Sequence, residues 1–280
     1  MITPVLHRIK RWLSLRSLLA AFIAAAVIAA PAAASLPATS GHDEQKPTLV
    51  FVHGAFADSS GWAEVAGRYL DAGYPVHAVS NPLRGIQYDS AYLKSYLATI
   101  KGPVVLIGHS YGGAVITNAA TGNPNVEALV YIAAYALDGK ETVQAANTLG
   151  GGQTEVTNHL VIRPFPGAQE GDADAYIDPA HFARLFAQDL PKQVTDFMGV
   201  SQRPGALASL VTPSGAPAWK EIPSWYMVAR NDNIIPPEAQ RVMADRAGAT
   251  TVEVKSSHVP MMSRPSKVVD LIDRAIDGTH

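Results

Sequence analysis

Val104-Val105-Leu106-Ile107-Gly108-His109-Ser110-Tyr111-Gly112-Gly113-Ala114 is the stretch from which the rest of the chain can be read. Its first four residues are a continuous aliphatic run, the pattern of a strand buried on both faces of a parallel sheet. Gly112 to Ala120 reads as a helix. Between the two, Gly108-x-Ser110-x-Gly112 makes a turn so tight that Ser110 must adopt a strained backbone, and a Cβ at position 108 or 112 would collide with neighbouring chain. A bare G-x-S-x-G motif is weak. Here it directly follows a buried strand and opens a helix, which is the context a nucleophile elbow requires. The Ser110 hydroxyl is therefore expected above the sheet edge, at a helix start whose dipole favours developing negative charge.

Working outward, short β-branched or aliphatic runs alternate with helical patterns from residue 48 onward. The expected strands are Thr48–Val52, Val76–Val79, Val104–Ile107, Ala128–Ile132, Trp225–Val228 and Thr251–Val254. Helices are expected over Trp62–Ala72, Ser90–Ile100, Gly112–Ala120, Pro237–Ala247 and Pro265–Ile276. This alternation predicts an α/β domain with a six-stranded, mostly parallel, doubly wound sheet. The rhythm breaks between Asp138 and Pro223, a stretch with several prolines and helical pieces near His181–Gln188 and Pro191–Met198. It is too long for a loop, so a helical lid over residues 138–223, inserted before the last two strands, is expected. The lid would cover the C-terminal edge of the sheet, where open α/β folds bind ligands. Phe165, Phe182, Phe186, Phe197 and Met198 either line an apolar pocket there or form the lid's own core.

The first 34 residues stand apart from this domain. His7, Arg8, Lys10, Arg11 and Arg16 form a basic stretch, Leu18 to Ala30 is a short apolar run, and Pro31-Ala32-Ala33-Ala34-Ser35 follows. A basic n-region, short h-region and A-x-A site read as a secretory signal, with residues 35–280 as the exported domain. An uncleaved anchor is the alternative, but the run falls short of the ~20 residues that span a bilayer and Pro31 interrupts it. Losing the leader's four basic residues takes Lys+Arg from 22 to 18 against 24 Asp+Glu, a net charge of −6. A mildly acidic chain without basic clusters offers no footprint for nucleic acid, and stable membrane insertion after cleavage is not expected. There is no cysteine, which rules out a thiol nucleophile and a Cys-type zinc site.

A serine hydroxyl needs a base to take its proton. Nine histidines compete. Most fall near the ends, beside glycine turns, in a strand or in the lid. His258 follows the last strand after a Lys-Ser-Ser turn and precedes a helix, so it is expected on a loop beside Ser110. The acid that would orient it is Asp232, in Asn231-Asp232-Asn233-Ile234-Ile235-Pro236, just after the strand Trp225–Val228. Its rivals are Asp138 and Glu253. Backbone N–H groups of Ala55, in the Gly turn after the first strand, and of Tyr111 would receive the oxyanion. Phe56 is the candidate substrate contact, and Trp62 should pack nearby.

Together, Phe51-Val52-His53-Gly54-Ala55, the Trp62 helix, Gly108-His109-Ser110-Tyr111-Gly112-Gly113, Asp232-Asn233-Ile234, Arg203-Pro204-Gly205 and Ser257-His258-Val259-Pro260-Met261 resemble the α/β-hydrolase superfamily. The closer resemblance is to its plant methylesterase and hydroxynitrile lyase branch and bacterial relatives. The resemblance implies the α/β-hydrolase fold and hydrolysis of small to medium carboxylic esters through an acyl-serine, by a monomer or dimer, without metal or organic cofactor. It also ranks rival chemistries. Dehalogenases and epoxide hydrolases of this fold carry aspartate at the elbow, and the lyases carry lysine where this chain has Val259. C–C bond hydrolysis, perhydrolysis, or a low-turnover ligand-binding protein remain as alternatives. The exported form, periplasmic or secreted, should begin at Ser35, and N-terminal sequencing reads this directly; an intact leader on the exported protein would overturn the expectation.

Overall fold

Every residue of Thr48–Val52 (β1) is buried, with a parallel neighbour on each side. The computed structural model describes residues 46–279, so the leader and its cleavage site lie outside the described residues. After β1 come α1 (Ala63–Asp71), β2 (Val76–Val79), α2 (Ile86–Leu97), β3 (Val104–Ser110), α3 (Tyr111–Ala119) and β4 (Val126–Ala134). The insertion holds α4 (Val143–Ala146), β5 (Leu160–Arg163), β6 (Asp174–Ile177), α5 (Pro179–Phe186), α6 (Lys192–Val200), β7 (Gly205–Ala206) and α7 (Ala208–Val211). The chain then returns through β8 (Ser224–Ala229), α8 (Pro237–Arg246), β9 (Thr250–Val254), α9 (Pro260–Ser263) and α10 (Pro265–Asp277).

The main sheet runs β2-β1-β3-β4-β8-β9, and all its neighbours are parallel. Right-handed crossovers put helices on opposite faces when the direction of travel along the sheet reverses. The β1-to-β2 step moves one way and every later step moves the other. α1 therefore lies on the face opposite to α2, α3 and α8, and α10 joins it, packing against α1, β4 and β8. Val268, Leu271, Ile272, Ala275 and Ile276 make the buried stripe of α10, at the i, i+3, i+4 spacing of an amphipathic helix. The reversal falls between β1 and β3, the switch point at which open sheets of this kind leave a crevice beyond their carboxyl ends.

The insertion corrects the expectation of a purely helical lid. β5, β6 and β7 form a separate three-stranded antiparallel sheet, with Leu160 opposite Ile177 and Asp174 opposite Ala206. Leu160-Val161-Ile162 is β-prone, and the Pro- and Gly-containing segment after it lets the chain turn back. α5 and α6 pack together beside this sheet. Phe182, Leu185 and Phe186 of α5 are buried, whereas Phe197 of α6 is exposed.

β3 ends in the expected elbow. Ser110 has φ 54° and ψ −126°, a conformation L-residues rarely adopt. A Cβ on Gly108 would lie 2.8 Å from the Gly112 carbonyl oxygen, and one on Gly112 would strike the Val52 carbonyl oxygen of β1. Gly112→Ala should therefore destabilise the protein by about 3 kcal/mol or more, because the obstructing atoms are backbone and cannot swing away. Urea unfolding measures this, and an unchanged midpoint would show that the turn has slack.

Candidate active site

Four chain segments converge at the carboxyl edge of the sheet: the loop after β1 with Ala55 and Phe56, the elbow after β3, the turn after β8 with Asp232, and the loop after β9 with His258. Asp232 and His258 are both buried. His258 Nδ1 lies 2.7 Å from Asp232 Oδ2. A carboxylate accepts only, so Nδ1 is the donor in this bond and Nε2 is the ring nitrogen left over for other partners. That Nε2 is buried and has no hydrogen-bond partner among the described residues; Ser110 Oγ does not hydrogen-bond to it in this arrangement. Catalytic hydrogen bonds are often long or misaligned before substrate binds.

Asp232 is held from several directions. Oδ1 accepts the N–H groups of Ile234 at 2.8 Å and Ile235 at 3.0 Å. Oδ2 accepts Gln240 Nε2 at 2.8 Å as well as the imidazole. Gln240 is fully buried; it also donates to the Ile235 carbonyl at 2.8 Å and accepts Ala229 N–H at 3.0 Å. This glutamine on α8 locks the carboxylate in orientation, and sequence reasoning missed it. The rival acids lie elsewhere. Asp138 pairs with Lys220 at 2.8 Å and Glu253 with Arg241 at 2.7 Å, both at the surface.

The lid grips three of these segments, those after β1, β8 and β9. Phe56 N–H donates to the Arg203 carbonyl at 2.9 Å. Asn233 Nδ2 donates to the Arg184 carbonyl at 2.9 Å, and Gln188 Nε2 to the Asn231 carbonyl at 2.5 Å. Asp189 Oδ2 accepts Ser257 N–H at 3.0 Å, next to the histidine. Asp189 is a second residue the sequence reading missed, since an acidic residue just after a helix reads as solvated.

Two other histidines are structural. His53 Nε2 accepts Asn81 N–H at 2.9 Å while its Nδ1 donates to the Gly54 carbonyl at 2.8 Å. His109 Nε2 donates to the His258 carbonyl at 2.7 Å, tying the elbow to the histidine loop. Its ring lies edge-on to Trp62, with centroids 6.3 Å apart, so Trp62 does pack beside the site. Burial pushes both imidazoles below their ordinary value, most strongly His109. Ala55 and Tyr111, the expected oxyanion donors, line the same cavity as Ser110, and neither N–H donates to a protein acceptor among the described residues.

That cavity has a volume of about 490 Å³. Phe56 lines it, as expected, with a backbone φ of 65°. The lid aromatics do not. Phe186 packs against the rings of His258 and Phe56, at 4.9 and 6.5 Å, and stacks on Phe182 at 4.9 Å. Phe165 lies under the Arg84 guanidinium. The lid's apolar contribution to the wall is aliphatic, from Val143, Val156, Leu160, Ile162 and Leu210, and Gln144, Asn147, Thr157 and Ser209 add polar groups. Among the described residues, no group of three or more His, Asp or Glu side chains is arranged to hold a metal ion, and no helix is long and apolar enough to cross a membrane.

The chain belongs to the alpha/beta hydrolase family, whose profile matches residues 49–271. Within it, the chain is similar to a pyrethroid hydrolase of Sphingobium wenxiniae, 26% identical over 80% of this chain and 85% of the relative. It is also similar to methylesterase 17 of Arabidopsis thaliana, 24% identical over 82% and 91%. Among solved structures, polyneuridine aldehyde esterase superposes with a TM-score of 0.70 at 22% identity, covering 82% of this chain and 99% of that one. These relatives are consistent with the methylesterase branch that the motifs resemble.

Two buried neutral imidazoles make stability depend on pH. The unfolded chain takes up protons near pH 6.5 that folded His53 and His109 refuse, so their contribution is complete above that value and is lost as pH falls below it. Tm should drop between about pH 6.5 and 5, before most carboxylates titrate; a flat Tm across that window would contradict the burial argument.

Proposed function

We propose that this hydrolase cleaves small to medium carboxylic esters through an acyl-serine intermediate. The observation that carries the reading is the buried His258–Asp232 hydrogen bond, which leaves an unpartnered Nε2 on a loop tied to the serine elbow. Ser110 Oγ attacks the ester carbonyl carbon and passes its proton to His258 Nε2. Asp232 stabilises the imidazolium and holds its orientation, with Gln240 and two backbone N–H groups fixing the carboxylate in turn. The oxyanion is received by the N–H groups of Ala55 and Tyr111. Collapse expels the alcohol, which takes its proton from His258. Water, deprotonated by the same nitrogen, then attacks the acyl-enzyme and releases the acid and free Ser110.

Several features support this assignment over a ligand-binding role. The strained Ser110 conformation costs about 1–3 kcal/mol and persists where neighbours over-determine it, a pattern that clusters at reacting groups. Burying a carboxylate–imidazole pair beneath a lid is likewise costly unless every lone pair is satisfied, and here all but the nitrogen facing the chemistry are.

The decisive test uses p-nitrophenyl acetate and a fluorophosphonate probe. Wild-type protein should turn over the ester and label on Ser110. Ser110→Ala should lose both, and Asp232→Asn should lower kcat by on the order of 10³- to 10⁴-fold while leaving the fold intact by circular dichroism. Turnover surviving in Ser110→Ala would remove the serine from the mechanism. Failure of the wild-type protein to label would favour a protein that binds without reacting.

A further inference from the structure

Among the described residues, no charged side chain lines the 490 Å³ cavity beside Ser110. An ionised group held there away from the Ala55 and Tyr111 N–H groups would lose its hydration without meeting a counter-charge, so the ligand portion lying against the lid should be neutral. Most of the wall is aliphatic. The exception of interest is Asn147, which follows α4 and is itself buried, at 7% exposure. Its Oδ1 accepts the Tyr135 hydroxyl at 3.0 Å. Tyr135 is 4% exposed, and burial raises its pKa, so the hydroxyl stays protonated and donating. This bond fixes the plane of the amide and its orientation. Nδ2 then donates to no protein acceptor among the described residues, and both side chains line the cavity.

The Nδ2 donor opens onto the chamber, where solvent can meet it while the chamber is empty; an apolar ligand that displaces that solvent leaves the donor unpaired. The chamber's other walls include the aliphatic side chains of Val143, Val156 and Leu210, which offer such a donor no acceptor.

We infer that Asn147 is a specificity-determining residue, and that the preferred substrates are neutral esters whose largely apolar acyl part carries a hydrogen-bond-accepting oxygen, such as a ketone, remote from the scissile carbonyl. This deepens the esterase reading and rests on it. The acceptor pairs with Asn147 Nδ2 while the hydrocarbon fills the aliphatic wall. A plain alkanoate of equal length fills the same space but leaves the amide unpaired, and sites of this kind discriminate well against analogues that lack the polar group.

The test compares matched p-nitrophenyl esters, straight-chain alkanoates against keto esters of equal length with the ketone moved stepwise along the chain. For at least one ketone position, wild-type kcat/KM should favour the keto ester by about tenfold or more. In Asn147→Leu the ratio at that position should fall to near unity, and in Tyr135→Phe, which releases the amide from its anchor, it should fall partway. Because each ratio is taken within one variant, a loss of folded protein cancels. No preference at any ketone position in the wild type, or a preference unchanged in Asn147→Leu, would overturn the inference. A binding arm separates it from the catalytic reading. Titration calorimetry of Ser110→Ala with the matching methyl esters should show the same keto preference in Kd, and the absence of that preference sinks the Asn147 assignment whether or not the wild type hydrolyses esters.

Discussion

The structure depends on a backbone contact between two strands' ends: the start of α3, at Gly112, lies directly on the Val52 carbonyl of β1. This approach leaves no room for a side chain. It holds the elbow against the loop that carries Ala55, so Ser110 and the expected oxyanion donors meet at the switch point of the sheet. The strain at Ser110 follows from it, since β3 must turn into α3 within a single residue. The remaining groups are then brought in by ordinary topology. β8 and β9 lie beyond β4 in the parallel order, and the turns at their carboxyl ends deliver Asp232 and His258 to the same rim.

Much of this was legible before any coordinates. Parallel strands buried on both faces advertise themselves as unbroken aliphatic runs, which mark β1, β3, β4 and β8. The edge strands β2 and β9, with His77, Thr251 and Glu253, were placed by β-branched and aliphatic residues and by the alternation with helices. Asp232 was preferred for its place just after the strand Trp225–Val228, in the chain order Ser, Asp, His, although Asp138 also follows a strand; the structure puts Asp232 in hydrogen bond with His258 and Asp138 on Lys220. The lid was less legible. β5 and β6 are four residues each, and β7 only two. They owe their form to pairing with each other and to Ala206 donating to the Leu83 carbonyl of the main domain. Such short pieces carry little intrinsic signal, because tertiary partners decide them. Gln240 and Asp189 were missed for a related reason. A polar residue on an amphipathic helix, or just past one, normally faces water, and only the fold shows that Gln240 is turned inward and that the exposed Asp189 reaches the Ser257 N–H.

The lid also shows how little residue type says about which part of a cover meets a ligand. Its aromatics were the natural candidates for a pocket wall. They instead brace the machinery from behind: Phe186 presses on His258 and Phe182 stacks behind it. Branched aliphatics from α4, β5 and α7 face the cavity. Rigid rings suit a position where an imidazole must keep its orientation, while smaller side chains leave volume for an acyl group.

The hydrogen bonds between lid and loops have a mechanical corollary. Arg184, Gln188, Asp189 and Arg203 each hold one of the loops on which the reacting groups sit. Raising α5 and the turn after it as a flap would break the bond at Ser257 and strip Phe186 from the imidazole, leaving the histidine loop held only by Asp232 and His109. Traffic is better served by a fixed doorway, and the half-exposed Ile162 and Val211 stand at the rim of the chamber where one would be. In such an arrangement, selection among substrates happens by fit through a standing aperture, and the cover is a structural member of the reaction centre.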